Sequence, residues 1–162
     1  MNFNDVMRAV SATGTVHHAQ DAIRQVHGRG STSWVAEQAG ISARTARRWM
    51  SATPPPSRRR NIIDMAGAGA VAAQKIRSSR TINVGRVRVK YDDEDAGTRQ
   101  PTKQAFNIAD IAGMDAFYDA LAADDYRNAA RHFSDAIINS YSPGLHETLT
   151  IYEFESGLEL GS

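Results

Sequence analysis

Residues 31–50 read STSWVAEQAGISARTARRWM, and this stretch decides how the rest of the chain is read. Val35, Ala36 and Ala39 recur at the spacing of one helix turn, so they predict a short helix with an apolar side. Gly40 follows, the one residue type that takes a positive φ without steric cost. Ile41 then fills the corner, and Ser42 has a hydroxyl able to cap the next helix. In that second helix Ala46 and Trp49 lie three apart and turn inward with Ile41, which leaves Arg44, Thr45, Arg47 and Arg48 outside. Between Ser42 and Met50 there are three arginines and no acid, whereas a merely solvated face usually mixes signs. The planar fork of arginine fits guanine O6 and N7 or grips phosphate. The pattern predicts a helix-turn-helix that meets double-stranded DNA.

The interface expected from this pattern is Ser42, Ala43, Arg44, Thr45, Arg47, Arg48 and Ser51, with Arg58, Arg59 and Arg60 beyond it. Arg44 and Arg47, together with Ala43 and Ser51, would approach base edges. Arg48, Arg58, Arg59 and Arg60 would lie near phosphates or reach along a groove.

Charge supports that reading once it is divided by position. The formal net charge of the 162 residues is +1, but residues 1–90 hold 15 Lys and Arg against four acids, a surplus of +11, and residues 91–162 carry −10. The first half is built to meet a polyanion, and the acidic half would repel one and leaves room for a protein partner. There is no cysteine, so neither a disulfide framework nor a thiolate metal site is available, as in a reducing cytoplasm. No run of about 18 apolar residues is present, and MNFNDVMRAV lacks the cationic start of a secretion signal. A cytoplasmic, nucleoid-associated protein with no membrane span is the expectation.

Working outward, Asn4–Val10 and Val16–Val26 read as helices that would support the motif. Asn4 would cap the first, and Val16, Ala19, Ala22, Ile23 and Val26 would form the buried side of the second. His27 to Thr32 is a break, with Ser31 or Thr32 placed to cap the next helix. Pro54-Pro55-Pro56 reads as a stiff spacer that Arg58-Arg59-Arg60 closes. Residues 61–78 read as one helix weakened by Gly67 and Gly69, whose small side chains favour close packing. From Arg80 to Tyr91 apolar and cationic residues alternate, which predicts a strand with a bulge at Gly85. Asp92 to Gly97 reads as an exposed turn and Arg99–Ile108 as an extended partner. Met114, Phe117 and Leu121, then Tyr126, Ala130, Phe133, Ile137 and Tyr141, mark two helices broken near Ala123-Asp124-Asp125. Glu147–Glu155 would be a last strand, with Leu149, Ile151 and Glu153 on one side and Thr148, Thr150, Tyr152 and Phe154 on the other.

The predicted architecture is α+β: a helix-turn-helix DNA-binding unit over residues 1–53, a Pro/Arg linker over 54–60, and an α+β dimerisation or partner-binding unit over 61–162. A small sheet with an open edge makes homodimerisation plausible, and a dimer doubles one reading helix into a palindromic reader.

Enzyme chemistry is not indicated. His17, His18, His27, His132 and His146 form no metal-ligand spacing with acids, so no metal and no cofactor is expected; His17 and His18 read as capping or phosphate-facing residues. Asp92-Asp93-Glu94-Asp95 reads as a solvated turn. Ala66 to Ala70 lacks the Lys-Ser/Thr ending of a phosphate loop, and Ser42 sits at a cap and not at a hydrolase elbow.

The motif resembles the helix-turn-helix of DNA-binding proteins, and the arrangement of parts resembles the telomere terminal proteins of linear actinomycete replicons. In that family a Gly-hydrophobic-Ser turn and an Arg-Thr in the second helix lie near the N-terminus, as Gly40-Ile41-Ser42 and Arg44-Thr45 do here. A Pro/Arg linker, a basic helix, an alternating strand and an acidic turn follow, similar to Pro54 through Gly97. Amphipathic helices and an acidic, aromatic strand come last, similar to Tyr152 through Leu160. The resemblance covers most of the chain. It implies a threonine hydroxyl joined to the 5′ phosphate of a DNA end, where it primes replication. In the family that threonine precedes the acidic turn. Here no threonine stands between Ile82 and Gly97; Thr81 comes before the strand, Thr98 and Thr102 after the turn, and no catalytic residue carries over. The expected function is therefore sequence-specific DNA binding by a homodimeric transcriptional or replicon-maintenance regulator. A terminal protein and a DNA-tethered interaction adaptor are the alternatives.

Overall fold

The computed structural model describes residues 1–101, 105–144 and 149–162, so the expectations on Thr102, His146, Glu147 and Thr148 lie outside the described residues. Asn2, and not Asn4, begins the first helix: its side chain accepts the Asp5 N–H at 2.8 Å, and α1 runs Phe3–Ala12. Thr15 caps α2 (Val16–His27) in a reciprocal box in which His18 Nδ1 accepts the Thr15 N–H at 3.0 Å. A 3-10 turn over Gly28–Gly30 leads directly into α3 (Ser31–Ala39). Ser31 is therefore a helix residue and not a cap; it is buried, and its hydroxyl donates to the Gly28 carbonyl at 2.6 Å. Val26, expected inside, is 62 % exposed, whereas the neighbouring Ile23 is buried.

After α4 (Ala43–Trp49) the proline run does not act as a spacer. Pro54 is buried, Pro56–Arg58 forms a 3-10 turn, and α5 (Arg59–Ala66) starts within the expected linker. The single helix expected over 61–78 is two, because Gly67 at φ 89° and ψ 146° ends α5 before α6 (Ala68–Ser78) begins. The small residues do permit close packing: a Cβ on Gly69 would stand 2.3 Å from the Leu121 carbonyl oxygen of α7 (Met114–Ala122).

The alternating segment is also divided. β1 (Thr81–Asn83) and β2 (Val87–Tyr91) belong to different sheets, with Gly85 at φ 62° turning the chain between them. The acidic run is half turn and half strand. Asp92 and Asp93 take positive φ in a tight hairpin, and β3 (Glu94–Arg99) pairs back on β2. β4 (Phe106–Asn107) pairs with β1, as does β6 (Glu159–Gly161). β5 (Leu149–Phe154) is the other neighbour of β2. The result is two three-stranded antiparallel sheets, ordered β4-β1-β6 and β3-β2-β5. Arg88 faces Glu153 and Val89 faces Ile151, so Tyr152 is the extra residue of a β-bulge. That shift breaks strict alternation and turns Phe154 into the core, while Glu153 is exposed.

The α+β class holds, with a helical N-terminal region and two small sheets, but the apolar clusters do not divide at residues 54–60. Helix α1 was expected under the motif. Instead Phe3, Val6, Met7 and Val10 pack with Ile82, Phe117, Phe133 and Phe154, and the Phe3 ring lies 6.0 Å from that of Phe133 in α8 (Tyr126–Tyr141). Met1 and Phe154 exchange backbone hydrogen bonds of 2.8 Å, which fixes the start of α1 beside β5. Conversely, Ile62 of α5 joins Val16, Ile23, Val35 and Trp49 in the helical cluster. Helix α6 serves both clusters, with Val71 on the helical side and Ala72, Ala73 and Ile76 on the mixed side. No described helix is long and apolar enough to cross a membrane.

Candidate nucleic-acid interface

Local chemistry builds the turn. Gly40 adopts φ 64° and ψ 38°, which lets the Ile41 N–H reach back to the Ala36 carbonyl at 3.0 Å and closes α3. Ser42 then stands in extended backbone, and its hydroxyl oxygen accepts the Thr45 N–H at 3.1 Å, opening α4. The same hydroxyl donates to Thr45 Oγ1 at 3.0 Å, so both side chains are engaged at the helix start.

The inner side of α4 fixes its rotation. Ala46 is fully buried, and Trp49 and Met50 are nearly so, within the cluster that holds Val16, Ala19, Ile23, Val35, Ile62 and Val71. Ile41 is partly buried against that cluster. Its far end is held by hydrogen bonds from α2. Gln20, only 1 % exposed, donates through Nε2 to the Trp49 and Ser51 carbonyls at 2.8 Å each, and Arg24 donates to the Met50 carbonyl. His17 Nδ1 lies 3.0 Å from Gln20 Oε1 and steadies the amide. These positioning residues were not anticipated from the sequence. The available signal was that Gln20 lies four residues after Val16 and three before Ile23, a polar residue on an apolar side.

Ser42, Ala43, Arg44, Thr45, Arg47 and Arg48 are all exposed. Ser51 is half-buried, its hydroxyl donates to the Arg48 carbonyl at 2.7 Å, and its own carbonyl takes the Gln20 bond. Ser51 thus closes the helix and does not stand free toward a groove. Arg58, Arg59 and Arg60 are exposed at the start of α5, which has no side-chain cap. Cations beside the positive end of a helix dipole are unfavourable unless an anion joins them. Arg60 is engaged with Asp64 at 3.1 Å. Among the described residues no ion pair involves Arg44, Arg47, Arg48, Arg58 or Arg59.

The second cationic stretch is different. Arg88 pairs with Asp95 at 2.6 Å, Arg86 with Glu155 at 3.4 Å, and Lys90 Nζ lies 4.7 Å from the Tyr152 ring centre. The Gly97 N–H, the Arg88 guanidinium and the Tyr152 hydroxyl all bond Asp95 and hold its carboxyl below the usual range. His18 serves as a cap; burial and the neighbouring Lys75 lower its pKa. Of the threonines considered for DNA attachment, Thr98 is exposed in β3 and Thr81 is half-buried in β1. Among the described residues no three His, Asp or Glu side chains gather as a metal site would need.

Compared with known proteins, the chain matches no protein-family model, no curated protein and no solved structure.

Proposed function

We propose that this chain is a sequence-specific double-stranded DNA-binding protein that reads a major groove with α4 and acts as a transcriptional or replicon-maintenance regulator. One observation carries the reading. Arg44, Arg47 and Arg48 are exposed on a helix whose opposite side is locked by Ala46, Trp49 and the Gln20 bonds, and no acid among the described residues neutralises them. A short, rigid, unpaired cationic face is what base-edge reading requires. The uncapped start of α5 with Arg58 and Arg59 supplies a phosphate contact; α5 packs on α2, and the end of α4 is hydrogen-bonded to α2 through Gln20. One seven-residue reading helix covers few base pairs, so a homodimer on a palindromic site completes the proposal.

The test is selection of bound sequences from a random DNA library, followed by anisotropy titrations of variants on the selected site and on scrambled DNA. Arg44→Ala should lose affinity for the selected site far more than for scrambled DNA, and Arg59→Ala should weaken both alike. Equal losses from both variants on both DNAs would refute α4 as the reading helix. Light scattering of the free protein and of the complex gives the stoichiometry.

The terminal-protein reading needs a threonine hydroxyl open to a DNA end, and Thr98 is exposed just after the acidic hairpin. Incubation with labelled deoxynucleotide, polymerase and a 3′-overhang template tests it: label that survives denaturation in the wild type and disappears in Thr98→Val would support attachment there.

A further inference from the structure

A cavity of about 620 Å³ opens where the C-terminal end of α6 meets the start of α7, within the size range of small-molecule sites. Its wall combines Arg77, Arg80 and Tyr118 with an apolar side that includes Ile108, Ile111 and Met114. Arg80 is anchored through its backbone, whose N–H donates to the Gly161 carbonyl at 2.7 Å and whose carbonyl accepts the Ile108 N–H at 2.9 Å. Arg77 lies over the Tyr118 ring, 4.6 Å from its centre. Neither arginine has a carboxylate partner among the described residues.

Tyr118 supplies the ring beneath Arg77 in that wall. The residue is 5 % exposed and its hydroxyl is buried with no hydrogen-bond partner in the structure. A hydroxyl out of reach of water is also out of reach of a molecule in the cavity, so the anion site rests on the two arginines. Burial pushes the Tyr118 pKa up, so the phenol adds no charge to the wall. The first turn of α7 is capped only by Gly113, which has no side chain to take its free N–H groups.

We propose that this cavity binds a small organic carboxylate, with Arg77 and Arg80 pairing the anion and the apolar wall covering its hydrocarbon body. Charge selects the class. The wall also includes Asp115, so two guanidiniums and one carboxylate leave a single net positive charge, which matches a monoanion better than a phosphate dianion. The site is independent of the DNA-binding reading.

Benzoate is the probe, with benzamide as its neutral isostere and inorganic phosphate, held at about pH 8 so that it is mostly the dianion, as the dianionic control, followed by calorimetry and by amide chemical shifts of the full chain. Benzoate should bind one to one, with shifts centred on residues 107–118, and benzamide and phosphate should each bind at least about tenfold more weakly. Arg77→Gln and Arg80→Gln should each weaken benzoate about tenfold. No saturable binding of benzoate, binding of benzamide equal to that of benzoate, shifts confined to residues 42–48, or unaltered affinity in both arginine variants would each overturn the proposal.

Discussion

Two stretches of this chain present arginines at the spacing of an exposed face, and the fold treats them in opposite ways. Along α4, Arg44, Arg47 and Arg48 stand without acidic partners. Along the sheet, Arg86 and Arg88 are paired with Glu155 and Asp95, and Lys90 lies over Tyr152. Both stretches fall in the +11 half of the sequence. Only the helix retains its positive charge as a surface property, because the acids that quench the sheet come from β3 and the end of β5. A count of cations along a chain therefore overstates the polyanion-binding surface wherever a hairpin folds acids back onto them.

The comparison breaks most readily if α4 is not rigid. Trp49→Ala should destabilise the protein by about 3–5 kcal/mol in urea unfolding, since it empties the center of the helical cluster. A cost below about 1 kcal/mol would mean that α4 is not anchored as described. Gln20→Leu should follow at about 2–3 kcal/mol, because the buried Trp49 carbonyl and the half-buried Ser51 carbonyl lose their donor and the leucine offers none. DNA affinity should fall with it even though Gln20 faces away from solvent.

Next come the arginines themselves. Arg44→Ala should cost about 1–3 kcal/mol on a selected site, and Arg59→Ala should reduce the slope of log affinity against log salt by about one. Arg88→Ala, matched for charge, should leave both quantities unchanged. An Arg88 effect equal to that of Arg44 would erase the distinction between the two faces. The smallest effect concerns pH. The folded-state pKa of Asp95 is depressed, so its contribution is fully present above the unfolded value near about 4 and is lost as pH falls through the folded value. Asp95→Asn should therefore melt slightly below wild type at neutral pH, and the gap should close below about pH 4.

How much was legible depends on the range of the interactions involved. Gly40, Ile41, Ser42, Ala46 and Trp49 took their expected places because a positive φ, a cap and a helical side are settled within four residues. Phe3, Val6, Met7 and Val10 were readable as a helix, but not as a helix that would leave the motif and pack under a sheet formed after residue 80. The Pro54–Pro56 run looked like a boundary because prolines stop helices, yet stopping a helix does not separate two cores. Phe154 defied strict alternation because one bulge at Tyr152 shifts every later residue to the other side. Ser51 follows the reading face in sequence, but its hydroxyl donates to the Arg48 carbonyl, a bond that only the folded end of α4 creates.

By itself the sequence determined the helix-turn-helix, the α+β composition and the cationic run on α4, all of which follow from dihedral preference, capping and periodicity between near neighbours. Only the tertiary structure decided which helices share a core, that α6 belongs to both, and which arginines remain unpaired. The physical reason is that apolar burial has no direction and ion pairs form wherever the fold brings opposite charges within reach. Neither carries a signature in the order of residues until the chain has closed on itself.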